Sequence, residues 1–417
     1  MNENILHHIW QFKLFDAQRL KTISGKSLVI KNQGVRNTNQ GPDFSHAKIK
    51  IGETLWAGNV EIHCKTSDWY KHGHQHDRNY ENVILHVVYE HDSEWNESIE
   101  LLELKNVIPE GYLLNINRLF QTGLDYCLPH WKSIDDIHIS AMLNKAVIEK
   151  LSDKKAEITQ LLKQLNNDWD EAFYVYLVRY FGMKVNNEPF LRLAKQTPLK
   201  IIEKHADNLF QVEALLFGQS GLLYKYHESL YAQKLLKEYE FLKAKYNLDP
   251  MDSQVWKFSR MRPTAFPTVK IAQLAALLTK HTRLFRSVLQ ANSLKQLQEL
   301  FTVSPSQYWQ THYTFGNESP EKNKKISANT VTLLTINAIL PFAFAYADYT
   351  ANETLKDKIV LFFESLPPES NRLIKHIKEH FAFANAFQTH GMLYLDKNYC
   401  QLKKCLDCGI GNKIITE

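Results

Sequence analysis

The chain has 417 residues, 44% of them hydrophobic and 23% charged, with a formal net charge of +5. These values exclude a disordered chain, and the length calls for two or three domains rather than one core. So small a positive excess permits a nucleic-acid partner without demanding one.

The first residues, Met1 to His7, carry neither the basic segment nor the apolar run of a secretory signal, so a cytoplasmic chain is expected. Ile5, Ile9, Phe12 and Leu14 fall near helical spacing and predict an amphipathic helix over residues 4–19. Residues 27–31 predict a short strand. Residues 45–51 and 54–65 predict a hairpin about Gly52, 83–90 a central strand and 98–104 another. Eleven of the 18 histidines lie before residue 140. Beyond about residue 135 the apolar spacing turns helical, at 139–165, 169–181, 208–217, 229–245, 269–279, 284–300 and 357–363. The apolar window 331–347 is short for a bilayer span and interrupted by Thr332, Asn337 and Pro341. It predicts a buried helix broken at Pro341, and no membrane association. The expected class is α+β: a mixed α/β sheet domain over 1–134, a mainly helical domain over 135–390, and a cysteine-rich tail over 391–417.

Asp43 and Glu61 stand on the two arms of the expected hairpin, with seventeen residues between them. Two carboxylates brought together across a turn are what Mg²⁺ or Mn²⁺ needs, since both prefer oxygen ligands. The order helix, three strands, irregular segment, strand is similar to the core of the PD-(D/E)xK nuclease superfamily. There an Asp opens the second strand and a (D/E)-x-Lys lies on the third. Pro42-Asp43 and Glu61-Ile62-His63 occupy the matching places. The resemblance implies Mg²⁺ or Mn²⁺ held by Asp43 and Glu61, activating water on a phosphodiester. His63 stands where that superfamily has lysine. Either His63 acts as base or ligand, or Lys65 leans in from the same strand face. Register speaks against the pair: matching Ile49 with Trp56 sets Asp43 against Ile62 and the two acids on opposite faces, unless a bulge at Gly58-Asn59 intervenes. The plainer alternative has Asp43 closing a turn and Glu61 pairing with a lysine on a solvated strand.

His72, His74, His76 and Asp77 follow within a short run, with atoms suited to zinc or manganese. His72, His74 and Asp77 are the expected further ligands. A hydrolase built on the loop alone would turn His72, His74 and His76 inward, whereas a polar surface loop would leave them in solvent. Cys400, Cys405 and Cys408 have a bite suited to zinc or an Fe–S cluster, with His390, Cys127 or Cys64 as candidate fourth ligand. Between two expected helices, Arg260, Arg262 and Lys270 lie among Trp256, Phe258 and Phe266, as phosphate contacts beside stacking rings or as surface charges around a packed turn.

Gly41 to Phe44, Gly58 to His63, Ser67-Asp68-Trp69, His72-x-His74-x-x-Asp77 and Leu85 to Val88 together resemble a bacterial family known as domain of unknown function 2851. Arg262-Pro263, Phe266-Pro267 and the three terminal cysteines fit it too, over nearly the whole chain. That family supplies no established activity. The expected function is a metal-dependent, nuclease-like phosphodiesterase using Asp43, Glu61, His63 and Lys65. The alternative is a non-enzymatic nucleic-acid-binding or interaction protein with a metal-stapled tail.

Overall fold

Helix α1 (Glu3–Phe12) begins where the Asn2 side chain accepts the Ile5 N–H. It ends at Lys13, whose φ is 53°, with the Leu14 N–H donating back to the Ile9 carbonyl at 2.9 Å. That closure turns Leu14 and Phe15 into the core, so the helix stops at Phe12 instead of running on to Arg19. The computed structural model describes residues 1–416. It forms two compact units: residues 1–144 with 370–382 and 391–416, and residues 145–369 with 383–390.

The first unit is built on a six-stranded sheet of β1 (Leu28–Asn32), β2 (Val35–Arg36), β3 (Phe44–Ile51), β4 (Thr54–Lys65), β5 (Val83–Glu90) and β6 (Glu100–Glu103). The order is β1-β3-β4-β5-β6, with β2 also on β3. Strands β1, β3 and β4 pair antiparallel, whereas β4, β5 and β6 pair parallel.

Register decides where the acids fall. Ala47 to Ile51 pair residue for residue with Gly58 to Thr54, and then Phe44 pairs with Val60. One extra residue therefore sits in β3 at Ser45-His46, where His46 takes φ 59°. The bulge lies on the strand opposite the expected Gly58-Asn59, and it brings Asp43 beside Glu61. Gly58 is needed for a different reason. A Cβ there would lie 2.4 Å from Ile84 Cγ2 and 2.6 Å from the Asn82 carbonyl. Gly58→Ala is expected to destabilise the chain by about 1–3 kcal/mol. Urea unfolding checks this, and an unchanged midpoint would refute the close approach.

Parallel strands cannot be joined by a tight turn, so the chain must cross the sheet between β4 and β5. Residues 66–82 make this crossing as α2 (Ser67–Lys71) followed by 3₁₀ turns at His74–His76 and Arg78–Tyr80. Trp69 anchors it: the side chain is 2% exposed and its ring lies 5.0 Å from His86 and 5.4 Å from His74. After β6, α3 (Glu110–Thr122) and α4 (Leu124–His130) pack with the chain's end. There the Asn115 amide donates to the Ile414 carbonyl at 2.9 Å.

The second unit is helical, and the class is α+β as expected. The helix Trp169–Phe181 has the expected bounds. The expected 284–300 helix is two, Leu284–Gln290 and Leu294–Leu300, because Ser293 caps the second by accepting the Gln296 N–H. The run Ala328–Tyr349 is long and apolar enough to cross a membrane by length and composition, and 72% of its apolar window is buried inside the structure. It does not break at Pro341. A π turn at Thr335–Ile339 widens the helix just before the proline and absorbs its missing donor.

Candidate metal centre

Asp43 and Glu61 hold each other in place through the backbone. The Asp43 N–H donates to Glu61 Oε2 at 3.1 Å, and the Ile62 N–H donates to Asp43 Oδ2 at 2.9 Å. His7, from α1, brings its Nε2 to 3.1 Å from Asp43 Oδ2. Both carboxylates thus stand at one place in the sheet, which the unbulged register would have forbidden.

Glu61 and His63 share one face of β4 because side chains alternate, and His86 joins them from β5 as the register partner of Glu61. The crossing segment then lays His72 and His74 on that face. His63 Nε2 lies 3.1 Å from His72 Nδ1 and 3.5 Å from Glu61 Oε1, while His74 Nε2 lies 3.3 Å from Glu61 Oε1. The ligand nitrogens of His63, His72 and His74 all lie within 4.8 Å of one another. Four donors around one zinc-sized ion stand about 3.4 Å apart, so these spacings suit a shared cation. His63 Nδ1 meets His86 Nε2 at 2.9 Å. With His63 donating there, its Nε2 lone pair faces the cluster, the usual service of an outer partner to a ligand histidine. Tyr80 stacks on His74 at 3.8 Å between ring centroids and fixes that ring from the other side.

The electrostatics of the bare cluster are unfavourable in the way a cation would relieve. Burial, then the Asp43 charge, push the Glu61 carboxyl up to about 9. Burial, with His74 and His72 beside it, pulls His63 down to about 3, and burial with His63 and His74 pulls His86 down to about 2. His74 is lowered too, first by burial and then by His72. His63 and His74 are therefore neutral and have lone pairs to give, and a divalent ion would return Glu61 to its ionised form. His74 Nε2 is buried without a hydrogen-bond partner, its 3.3 Å approach to Glu61 Oε1 lying off the hydrogen-bonding direction. An orphaned imidazole nitrogen aimed at a carboxylate and two other imidazoles fits a metal ligand. The side chains of Asp43 (23% exposed) and His72 open the cluster to solvent.

The remaining expected residues are distributed differently. His76 and Asp77 are exposed, and Asp77 caps the Arg78–Tyr80 turn by accepting the Asn79 N–H at 2.9 Å. Lys65 turns away, its Nζ 3.8 Å from Asp92 and half exposed. In the second unit Arg260 and Arg262 are exposed, but Lys270 is 5% exposed with its Nζ donating to Gln273 Oε1, so it has no surface from which to grip phosphate. Trp256 packs on Phe190, and Phe258 on Phe266. Cys400, Cys405 and Cys408 line one pocket with Cys127. His390 instead bonds Lys150 and lies 3.2 Å from Glu369, and Cys64 is half-buried on β4. His7 was missed as part of the site, whereas His86, a mid-strand histidine whose ordinary reading is a hydrogen-bonded core residue, joins the site because the histidine segment folds back over it. The strand position of His86, on the face of Glu61, was the available signal.

Comparison with curated proteins and with solved structures yields no match. The model of one family, described as protein of unknown function (DUF2851), matches residues 3–372 and so covers the sheet, the crossing segment and most of the helical unit. The chain belongs to the DUF2851 family.

Proposed function

We propose that this chain is a divalent-metal-dependent phosphodiesterase of nuclease-like kind, with Glu61, His63, His72 and His74 as its metal ligands. The observation that carries the proposal is the convergence of the His63, His72 and His74 imidazoles, two of which reach the buried Glu61 carboxyl, with Asp43 held alongside. Support also comes from the order of the sheet: an N-terminal helix, three antiparallel strands, a crossing and a parallel strand, with Asp43 immediately before the second long strand and Glu61 on the third.

Three nitrogen donors favour Zn²⁺ or Mn²⁺ over the Mg²⁺ that a pair of carboxylates alone would select. When bound, such an ion polarises a phosphoryl oxygen and lowers the pKa of an attacking water. The chain's own groups do the rest. His63 takes the ligand position, held by His86, in place of the superfamily's lysine. The His7–Asp43 pair, at the solvent edge, is placed to take a proton from water and pass it on, with Asp43 orienting the imidazole. Lys65 has no part, because its ammonium is committed to Asp92.

The test is metal-dependent cleavage by the full chain. Protein stripped with a chelator is reloaded with Zn²⁺, Mn²⁺ or Mg²⁺ and offered bis(p-nitrophenyl) phosphate, single- and double-stranded DNA, and RNA. Cleavage restored by Zn²⁺ or Mn²⁺, and lost in His72→Ala/His74→Ala, is the expected result. Stoichiometric metal with no cleavage of any phosphodiester would overturn the proposal and leave an interaction protein.

A further inference from the structure

Cys127 belongs to α4. Cys400 closes the π turn Asp396–Cys400, Cys405 opens the 3₁₀ turn Cys405–Asp407, and Cys408 immediately precedes the final helix Gly409–Thr416, its carbonyl accepting the Asn412 N–H at 2.9 Å. Almost three hundred residues of chain separate the first cysteine from the other three. All four nevertheless line one pocket, whose remaining wall includes Leu119, Gly123 and Leu124. All are thiols outside any disulfide. The Trp131 indole N–H donates to Cys127 Sγ at 3.3 Å, the kind of contact that stabilises a ligating thiolate. The loop carrying Cys405 and Cys408 is pressed onto the final helix: a Cβ at Gly411 would lie 2.3 Å from the Cys405 carbonyl oxygen.

Four cysteines, one from α4 and three from the turns at 396–400 and 405–408, in one apolar pocket make a ligand set of a kind that ordinary packing does not require. The spacing separates the two common occupants. Among the described residues, the trio of ligand atoms that comes within 4.8 Å is that of His63, His72 and His74, so no three of these sulfurs approach so closely. A single zinc ion would hold its thiolates about 3.8 Å apart. An iron–sulfur cubane holds them further apart, because each thiolate binds a different iron atom.

We propose that Cys127, Cys400, Cys405 and Cys408 bind one four-iron–four-sulfur cluster, which ties the end of the chain to α4. The site is independent of the centre at Glu61 and stands or falls without it. Loading takes up ferrous and ferric iron with inorganic sulfide, and each of the four thiols releases one proton as its thiolate bonds to iron.

The experiment is iron, zinc and acid-labile sulfide analysis of the full chain, purified without oxygen from iron-replete cells, with visible spectra before and after dithionite. About four irons and four sulfides per chain are expected, with a broad visible absorption that dithionite bleaches. Cys127→Ser and Cys408→Ser should lose both elements, while Cys64→Ser and His63→Ala keep them. Where a variant fails to fold, the wild-type content decides. One zinc per chain without sulfide, no iron at all, or an intact cluster in soluble Cys127→Ser would each overturn the proposal.

Discussion

Replacing His63 by alanine is expected to abolish stoichiometric metal binding at the Glu61 centre and to slow phosphodiester cleavage by at least about a thousand-fold. His63 is the hub of the cluster. Its Nε2 faces His72 and Glu61, and its Nδ1 is held by His86. Removing it takes away one ligand and the contact that brings the other donors to a common point. A metal ion at such a centre supplies several kcal/mol of transition-state stabilisation, and roughly 1.4 kcal/mol corresponds to each factor of ten. His86→Ala removes no ligand and acts through His63 and through Trp69, which packs on both His86 and His74, so a loss of about 10–100-fold in metal affinity is expected instead. His76→Ala, on an exposed ring of the same loop, should change neither quantity. Calorimetric titration with Zn²⁺ and Mn²⁺, alongside initial rates, separates the three variants. Full metal occupancy and full rate in His63→Ala would leave the cluster as ordinary packing.

The strands were legible from sequence because their signals are local. Alternation and β-branched residues marked β3, β4 and β5 to within a residue, and Val83–Glu90 agreed at both ends. The relation between Asp43 and Glu61 was not legible. It depends on a single extra residue at Ser45-His46, and a bulge shifts every partner beyond it without a strong signal of its own. His46 in the left-handed conformation is that signal in the structure, but nothing in histidine announces it. The histidine run shows the same limit in another form. Spacing put Asp77 with His72 and His74 as a ligand and left His76 out of the set. The turn at Gly73, φ 74°, and the cap at Asp77 set the His72 and His74 rings beside His63, His72 at the solvent edge, and leave His76 and Asp77 in solvent. The parallel pairing of β4 with β5 made a crossing over one sheet face unavoidable, and that pairing is a tertiary fact. The terminal cysteines carried a clear metal signal, yet Cys127, which lines the same pocket, lies too far along the chain for spacing to single it out from His390 and Cys64.

Glu61→Gln should produce opposite changes in stability and metal binding: a metal-free protein more stable than wild type at alkaline pH, and one that no longer gains stability from metal. In the folded chain the Glu61 carboxyl is held up at about 9 by burial and Asp43, against an ordinary value of 4.5. Between those values the unfolded chain has lost the proton and the folded chain keeps it. The folded state then binds more protons, so this group costs increasing stability as pH rises through that window. The histidines act in the other direction. His63 and His86 are held near 3 and 2 against 6.5, so stability falls as pH drops below 6.5 and the unfolded chain takes up their protons. With these two effects opposed, the metal-free wild type should be most stable near about pH 6.5. Glutamine stays neutral at every pH and keeps an oxygen to accept the Asp43 N–H, so it removes the alkaline arm and leaves the acid one. At pH 8.5 the gain is expected to be about 2–5 kcal/mol, or several degrees in Tm. Zinc reverses the order, because the ion replaces the Glu61 proton and binds the folded state alone, stabilising wild type more as its concentration rises. Thermal melts of both proteins at pH 6.5 and 8.5, with EDTA and with Zn²⁺, carry the whole comparison. A variant that melts below wild type in EDTA at pH 8.5 would mean that Glu61 is ionised and satisfied without metal. The same rise with Zn²⁺ in both proteins would mean that the ion sits elsewhere. A buried carboxyl kept protonated beside neutral imidazoles makes sense as the resting state of a cation site, and this pair of melts is where that account is most exposed.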